Sequence, residues 1–122
     1  MEWDISFKPE NNMLSVKTHG IFNMDSNTAL IKECLEIVIK KDCRDCLIDN
    51  RELEFIRIEI LEMYSIPELF SKLGIPRNLH IAEVFSEKHK KDFHFLETVC
   101  RNNGYSVSVF SEIESALQWL RK

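Results

Sequence analysis

The chain has 122 residues, 44% of them hydrophobic and 30% charged, with only 3 Gly and 3 Pro. That is enough for one domain with a real core, and it is unlike a disordered or low-complexity segment. The formal charge of −4, from 16 Lys+Arg against 20 Asp+Glu, argues against a nucleic-acid partner, because phosphate calls for a basic face. No apolar run reaches the roughly 18 residues that span a bilayer, and the opening MEWDISFK is no signal peptide. A cytoplasmic protein with no membrane insertion is expected.

Trp3, Ile5 and Phe7 alternate with Asp4, Ser6 and Lys8, the period of a half-buried strand. Pro9 to Asn12 is turn material, and Met13 to His19 alternates again through Leu14, Val16 and Thr18, so the two runs make an antiparallel hairpin that Gly20 ends. Asp25 or Ser26 can cap a helix reaching to about Lys41. Its apolar residues, among them Leu30, Cys34, Ile37 and Val38, sweep almost half the circumference and suit a large surface such as a sheet. Cys46-Leu47-Ile48 is an unbroken apolar run ending at Asp49-Asn50-Arg51, which reads as a central strand covered on both faces.

From Arg57 to Leu73 the pattern is helical but out of phase with itself: Ile58, Leu61 and Tyr64 lie on one meridian and Ile66, Leu69 and Leu73 on another. Pro67 removes an interior hydrogen bond, and Ser65 with Glu68 reads as a capping box, so two short helices meet at Ser65. Gly74 and Pro76 stop the second. Leu79 to Phe85 is a strand holding one odd residue, Glu83; Ser86 caps a helix through Asn103; Tyr105 to Phe110 is a strand; and Ser111 with Glu114 opens a last helix striped by Ile113, Ala116, Leu117 and Leu120. The order ββαβαβαβα over a single domain, residues 1–122, predicts an α/β fold. It is a five-stranded mixed sheet in which only the first strand runs antiparallel to the others, flanked by helices.

The segments Ser65-Ile66-Pro67-Glu68-Leu69 and Leu73-Gly74-Ile75-Pro76, the helix Lys91 to Val99, the turn Asn103-Gly104-Tyr105 and the ending Ala116 to Leu120 carry a resemblance. With the opening hairpin, they resemble the SpoIIAA-like (STAS/SEC14-type) small bacterial domains over nearly the whole length. The resemblance implies the fold of the anti-sigma-factor antagonists, which are non-catalytic protein-binding switches. It also marks a departure. Those antagonists carry a phosphorylatable Ser or Thr at the start of the helix after the central strand, whereas Asp49 to Glu59 contains neither residue. The phospho-switch is therefore not carried over.

The chemistry-bearing residues do not assemble into a familiar centre. Cys43-Arg44-Asp45-Cys46 is a CxxC, but it follows a helix and precedes a strand, without the helix N-terminus that lowers a thiol pKa. No second pair completes a zinc site. All four cysteines (34, 43, 46 and 100) are expected as reduced thiols, with no metal and no cofactor. His89 and Glu97 share a helix but stand roughly 12 Å apart along its axis, too far to share a proton. His19, His80, His89 and His94 form no HxH or HxxxH pair, and the mixed charges from Arg44 to Glu62 have no EF-hand spacing. Glu83, inside an apolar strand, is either paired, protonated, facing a polar cleft, or at a rim; the rim is the preferred position. No catalytic residue is assigned.

The reading is a non-catalytic regulatory or scaffolding module that recognises another protein, a second copy of itself being one candidate. Recognition is placed after the central strand, at Asp49, Arg51 and Arg57, where charges of both signs give specificity. The alternative is a small-molecule binder, lipid-like ligands included, or a cryptic enzyme using the crevice at the carboxyl ends of the strands.

Overall fold

The computed structural model describes residues 1–121. Strands β1 (Glu2–Lys8), β2 (Met13–Phe22), β3 (Asp45–Ile56), β4 (His80–Val84) and β5 (Ser106–Phe110) form one sheet in the order β1-β2-β3-β4-β5. Only the β1–β2 pair is antiparallel. The expected sheet is therefore present, with the Cys46–Ile48 run on its central strand.

Each crossover from β2 to β5 steps one strand in the same direction, so right-handed connections put their helices on one face. Helices α1 (Met24–Lys41), α2 (Ile60–Tyr64), α3 (Ile66–Leu73) and α4 (Lys90–Asn102) all pack there, in a core with Leu14, Val16, Leu53, Ile81 and Val107. The last helix, α5 (Ile113–Leu120), has no strand to return to and folds under the opposite face. There Ala116 and Leu120 meet Met13, Leu47, Ala82 and Val84. That explains why Cys46-Leu47-Ile48 is apolar throughout: Cys46 and Ile48 face α1 to α4, and Leu47 faces α5.

Both strands that flank the first crossover run past their expected ends. β2 continues through Gly20 (φ 95) to Phe22, and β3 continues beyond Arg51 to Ile56. The residue offset between them grows from 32 (Met13 opposite Asp45) to 34 (Phe22 opposite Ile56), so β3 carries two extra residues. Each extra residue is a bulge that turns the strand over relative to its partner. Asn50 thus faces the same core as Ile48, yet Leu53, three residues on, is buried there too. Alternation read over such a stretch ends the strand too early.

Several caps also differ from expectation. Asn23, not Asp25 or Ser26, caps α1: its Oδ1 accepts from the Ser26 amide at 2.9 Å, and the Ser26 hydroxyl accepts from the Asn23 amide. Ser65 does separate α2 from α3, but it stays in helical geometry and donates its hydroxyl to the Glu62 carbonyl at 2.5 Å. The final helix is entered from Glu112 with no side-chain cap. Gly74 ends α3 as expected, with φ 82, a left-handed position suited to glycine.

Candidate functional site

Three strands contribute one buried polar chain on the face covered by α1 to α4. The Thr18 hydroxyl on β2 donates to Asn50 Oδ1 on β3 at 2.6 Å, and Asn50 Nδ2 donates to Glu83 Oε1 on β4 at 2.9 Å. Thr18 and Asn50 are buried. Glu83 is half-buried on an interior strand, between Ile48 of β3 and Val109 of β5. The rim position expected for this carboxyl is thus corrected: β4 is no edge, and Asn50 holds one of the two carboxyl oxygens from within. Burial pushes the Glu83 carboxyl up to about 7, and the Asn50 hydrogen bond offsets only part of that rise.

Glu83 and Asn50 line a cleft between α1 and α3 that opens to solvent and encloses about 60 Å³. Its walls are otherwise nearly all apolar, with Leu30, Cys34, Phe70 and Ile81 among them, and Asn27 from α1 supplies a third polar side chain. An apolar cleft with a few converging polar groups and one displaced pKa is the usual form of a small-molecule site. Sequence reasoning singled out Glu83 but missed Thr18 and Asn50. The available signal was a polar residue on an apolar face of each of three neighbouring strands, and it was hidden by the bulge after Asn50.

The three residues expected at a recognition surface are not all brought together. Asp49 and Arg51 form a two-pronged ion pair, Nε to Oδ1 and Nη2 to Oδ2, both at 2.9 Å. Burial raises the Asp49 carboxyl, but the hydrogen bonds and charge of Arg51 outweigh it and hold the group below its ordinary value. Arg57 lies beyond the end of β3, its guanidinium over the Phe55 ring at 5.8 Å. Its amide donates to the Phe22 carbonyl at 2.8 Å, tying the ends of β2 and β3 together. Beside it the surface is unexpectedly apolar: Phe55 (54% exposed), Ile60 (65%), Leu61 (78%) and Tyr64 (58%) all stand in solvent.

The titratable residues of α4 have structural roles. Glu97 accepts the Val109 amide at 2.8 Å, while Arg101 donates to the Val107 carbonyl at 2.8 Å and to the Ser108 hydroxyl. Together they occupy the open edge of β5, which would otherwise invite another strand. His89 is buried, and burial lowers its pKa. Its Nε2 finds no partner among the described residues, and Glu97 instead has His94 Nδ1 and Arg101 Nη2 beside it, at 4.0 and 3.8 Å. All four cysteines are buried and free, with thiols raised by burial, Cys34 and Cys100 to about 12. Among the described residues no group of three or more His, Cys, Asp or Glu side chains is placed to hold a metal ion.

No protein-family model matches the sequence, and no curated protein does either. Solved structures do match. An anti-sigma factor antagonist from Mycobacterium paratuberculosis aligns over 99% of this chain and 96% of its own, with a TM-score of 0.65 at 13% identity. An uncharacterised protein of the DUF3478 family from Shewanella loihica, described as having a SpoIIAA-like fold, aligns over 97% and 93%, with a TM-score of 0.62 at 16% identity. The chain has the SpoIIAA-like fold. The expected resemblance is thus met at the level of architecture. No helix among the described residues is long and apolar enough to cross a membrane.

Proposed function

We propose that this SpoIIAA-like domain is a non-catalytic regulatory or scaffolding module of the cytoplasm that acts by recognising another protein. The observation that carries the reading is the concentration of exposed large hydrophobic side chains, Phe55, Ile60, Leu61 and Tyr64, within ten residues around the end of β3 and α2. Side chains of this kind facing water in one place mark association surfaces, and aromatic residues anchor such surfaces. Asp49, Arg51 and Arg57, on the same strand and just past it, supply the polar surroundings that fix orientation. The likeness to an anti-sigma factor antagonist supports a protein as the partner. The stretch from Asp49 to Glu59 holds no Ser or Thr, so phosphorylation there does not control binding.

The test is capture of a partner by immobilised domain, run in parallel with Leu61→Asp, together with sedimentation of the purified protein to detect self-association. Loss of the captured or self-associated species in the variant, with an unchanged melting curve, is expected. Association that survives Leu61→Asp and Tyr64→Ala together overturns the assignment.

A further inference from the structure

The cleft above Glu83 is a separate feature from the exposed surface at the end of β3, and nothing in the recognition of a protein uses it. Its two polar ends are fixed differently. Glu83 Oε1 is occupied, because Asn50 Nδ2 donates to it, and Asn50 is itself fixed by the Thr18 hydroxyl at its other end. Glu83 Oε2 receives no hydrogen bond from any described residue. Since it is not among the fully enclosed polar atoms that lack partners, it faces the open space of the cleft. A carboxyl whose first oxygen only accepts has its second oxygen free to carry the acidic hydrogen.

The groups around Glu83 decide which charge a guest can have. The titratable side chains close enough to feel it are the thiols of Cys34 on α1, Cys46 on β3 and Cys100 on α4, each kept neutral by burial. No cation contributes to the state of Glu83 itself. An anionic guest would meet no positive charge, and a cationic guest would give up its hydration in an apolar cleft for a single ion pair. Size adds a second limit. A cavity of about 150 Å³ holds benzene, whereas this one encloses about 60 Å³. It therefore takes a guest of only a few non-hydrogen atoms, or the end of a guest whose remainder stays in the mouth. A whole lipid tail does not fit.

We propose that the cleft binds a small uncharged molecule with a compact apolar body and one hydrogen-bond-accepting oxygen, its body against Leu30, Cys34, Phe70 and Ile81 and its oxygen accepting from the Glu83 carboxyl. The guest is bound by protonated Glu83, so affinity falls as the carboxyl ionises.

Three probes of matched shape test this: 2-butanone, isobutyrate and protonated sec-butylamine, each titrated into the whole domain while backbone amide shifts of Cys34, Ile81 and Glu83 are followed. Saturable shifts are expected with 2-butanone at about pH 6.5, weakening at least about tenfold by about pH 8.5, with none for isobutyrate, which is ionised at both. Glu83→Gln, which keeps a donor at that point, should bind 2-butanone equally at both pH values. Glu83→Leu should lose most of the affinity. The absence of saturable shifts with 2-butanone, tighter binding of the ammonium, or a wild-type affinity independent of pH each overturns the proposal. None of these outcomes bears on capture of a protein partner through Leu61, so the two readings fail separately.

Discussion

Asn50 donates its side-chain amide to Glu83 across neighbouring parallel strands, with 2.9 Å between Nδ2 and Oε1. The contact brings a carboxyl into the core without any cation. Burial therefore dominates, and the group titrates at about 7, well above the ordinary 4.5 of a glutamate carboxyl.

The consequence for stability has a definite sign. Between pH 4.5 and about 7 the folded state keeps a proton on Glu83 that the unfolded chain has released. Stability contributed at this group is therefore highest below pH 4.5, falls as pH rises, and levels off above about 7. The whole change is on the order of 3 kcal/mol. Glu83→Gln keeps the shape without the charge, so it should melt higher than wild type at about pH 8 and near wild type at about pH 4. Melting curves across that range check it; a variant less stable than wild type at the alkaline end would count against the buried carboxyl.

The opening hairpin, the central position of β3 and the break at Ser65 were legible because each rests on local pattern: period two, an unbroken apolar run, a shift in helical phase. The polar chain was not. Thr18 reads as an ordinary member of the second strand, and Asn50 as part of the polar stretch that ends the apolar run, because a bulge is a relation between two strands and leaves no mark in either alone. The capping errors have a similar origin. Ser86, Ser65 and Ser111 each had the composition of a cap, but none accepts a helix amide through its side chain. The exposure around α2 leaves no mark in the sequence for another reason. Leu61 and Tyr64 share a meridian, as residues of a buried stripe do, yet a helix of only five residues (Ile60–Tyr64) buries little besides Met63.

The cysteines should be unreactive in the native state. All four are buried with raised thiols, and the thiolate is the nucleophile. A colorimetric thiol reagent at neutral pH is expected to label none quickly in native protein and all four in denaturant. Rapid labelling of Cys43 and Cys46 without unfolding would show that the CxxC is a reactive pair.

The contact from Glu97 to the Val109 amide predicts a structural phenotype for substitutions at Glu97. Glu97→Ala leaves a part-buried donor unpaired on the sheet edge, which costs about 1–3 kcal/mol, and exposes that edge to association. A lower melting temperature with a rising tendency to aggregate should follow. Glu97→Gln retains an acceptor and should recover most of the stability. Equal stability of the Ala variant and wild type would refute the role.

Core and cap substitutions should separate cleanly. Leu96 is buried between α4 and the sheet, and Leu96→Asp should prevent folding, because an unpaired buried carboxylate costs several kcal/mol against a total of about 5–15. Ala116, fully buried under the opposite face, should tolerate Asp no better. Pro67 occupies the first turn of α3, where no amide bond is lost, so Pro67→Ala should leave the fold intact. Since the ring is itself buried, a small loss of packing, about 1 kcal/mol, is expected from thermal melts. A folded Leu96→Asp protein would refute the packing assigned to α4.

At the proposed recognition surface the geometry distinguishes the two arginines. Arg57 stacks on exposed Phe55 and makes no ion pair among the described residues, so Arg57→Glu removes a free positive charge and should leave the melting temperature unchanged. Arg51 is held by Asp49. Arg51→Glu sets two carboxylates together, which should raise the Asp49 pKa and lower stability by about 1 kcal/mol, the upper range for a surface pair. If this face steers a protein partner, Arg57→Glu should slow association and flatten its dependence on ionic strength, since rim charges act mainly on the rate of encounter. Leu61→Asp should instead speed dissociation, because it removes a buried anchor from the complex. Association and dissociation rates measured by surface plasmon resonance separate the two effects. Unchanged rates in both variants would move recognition to another face of the domain.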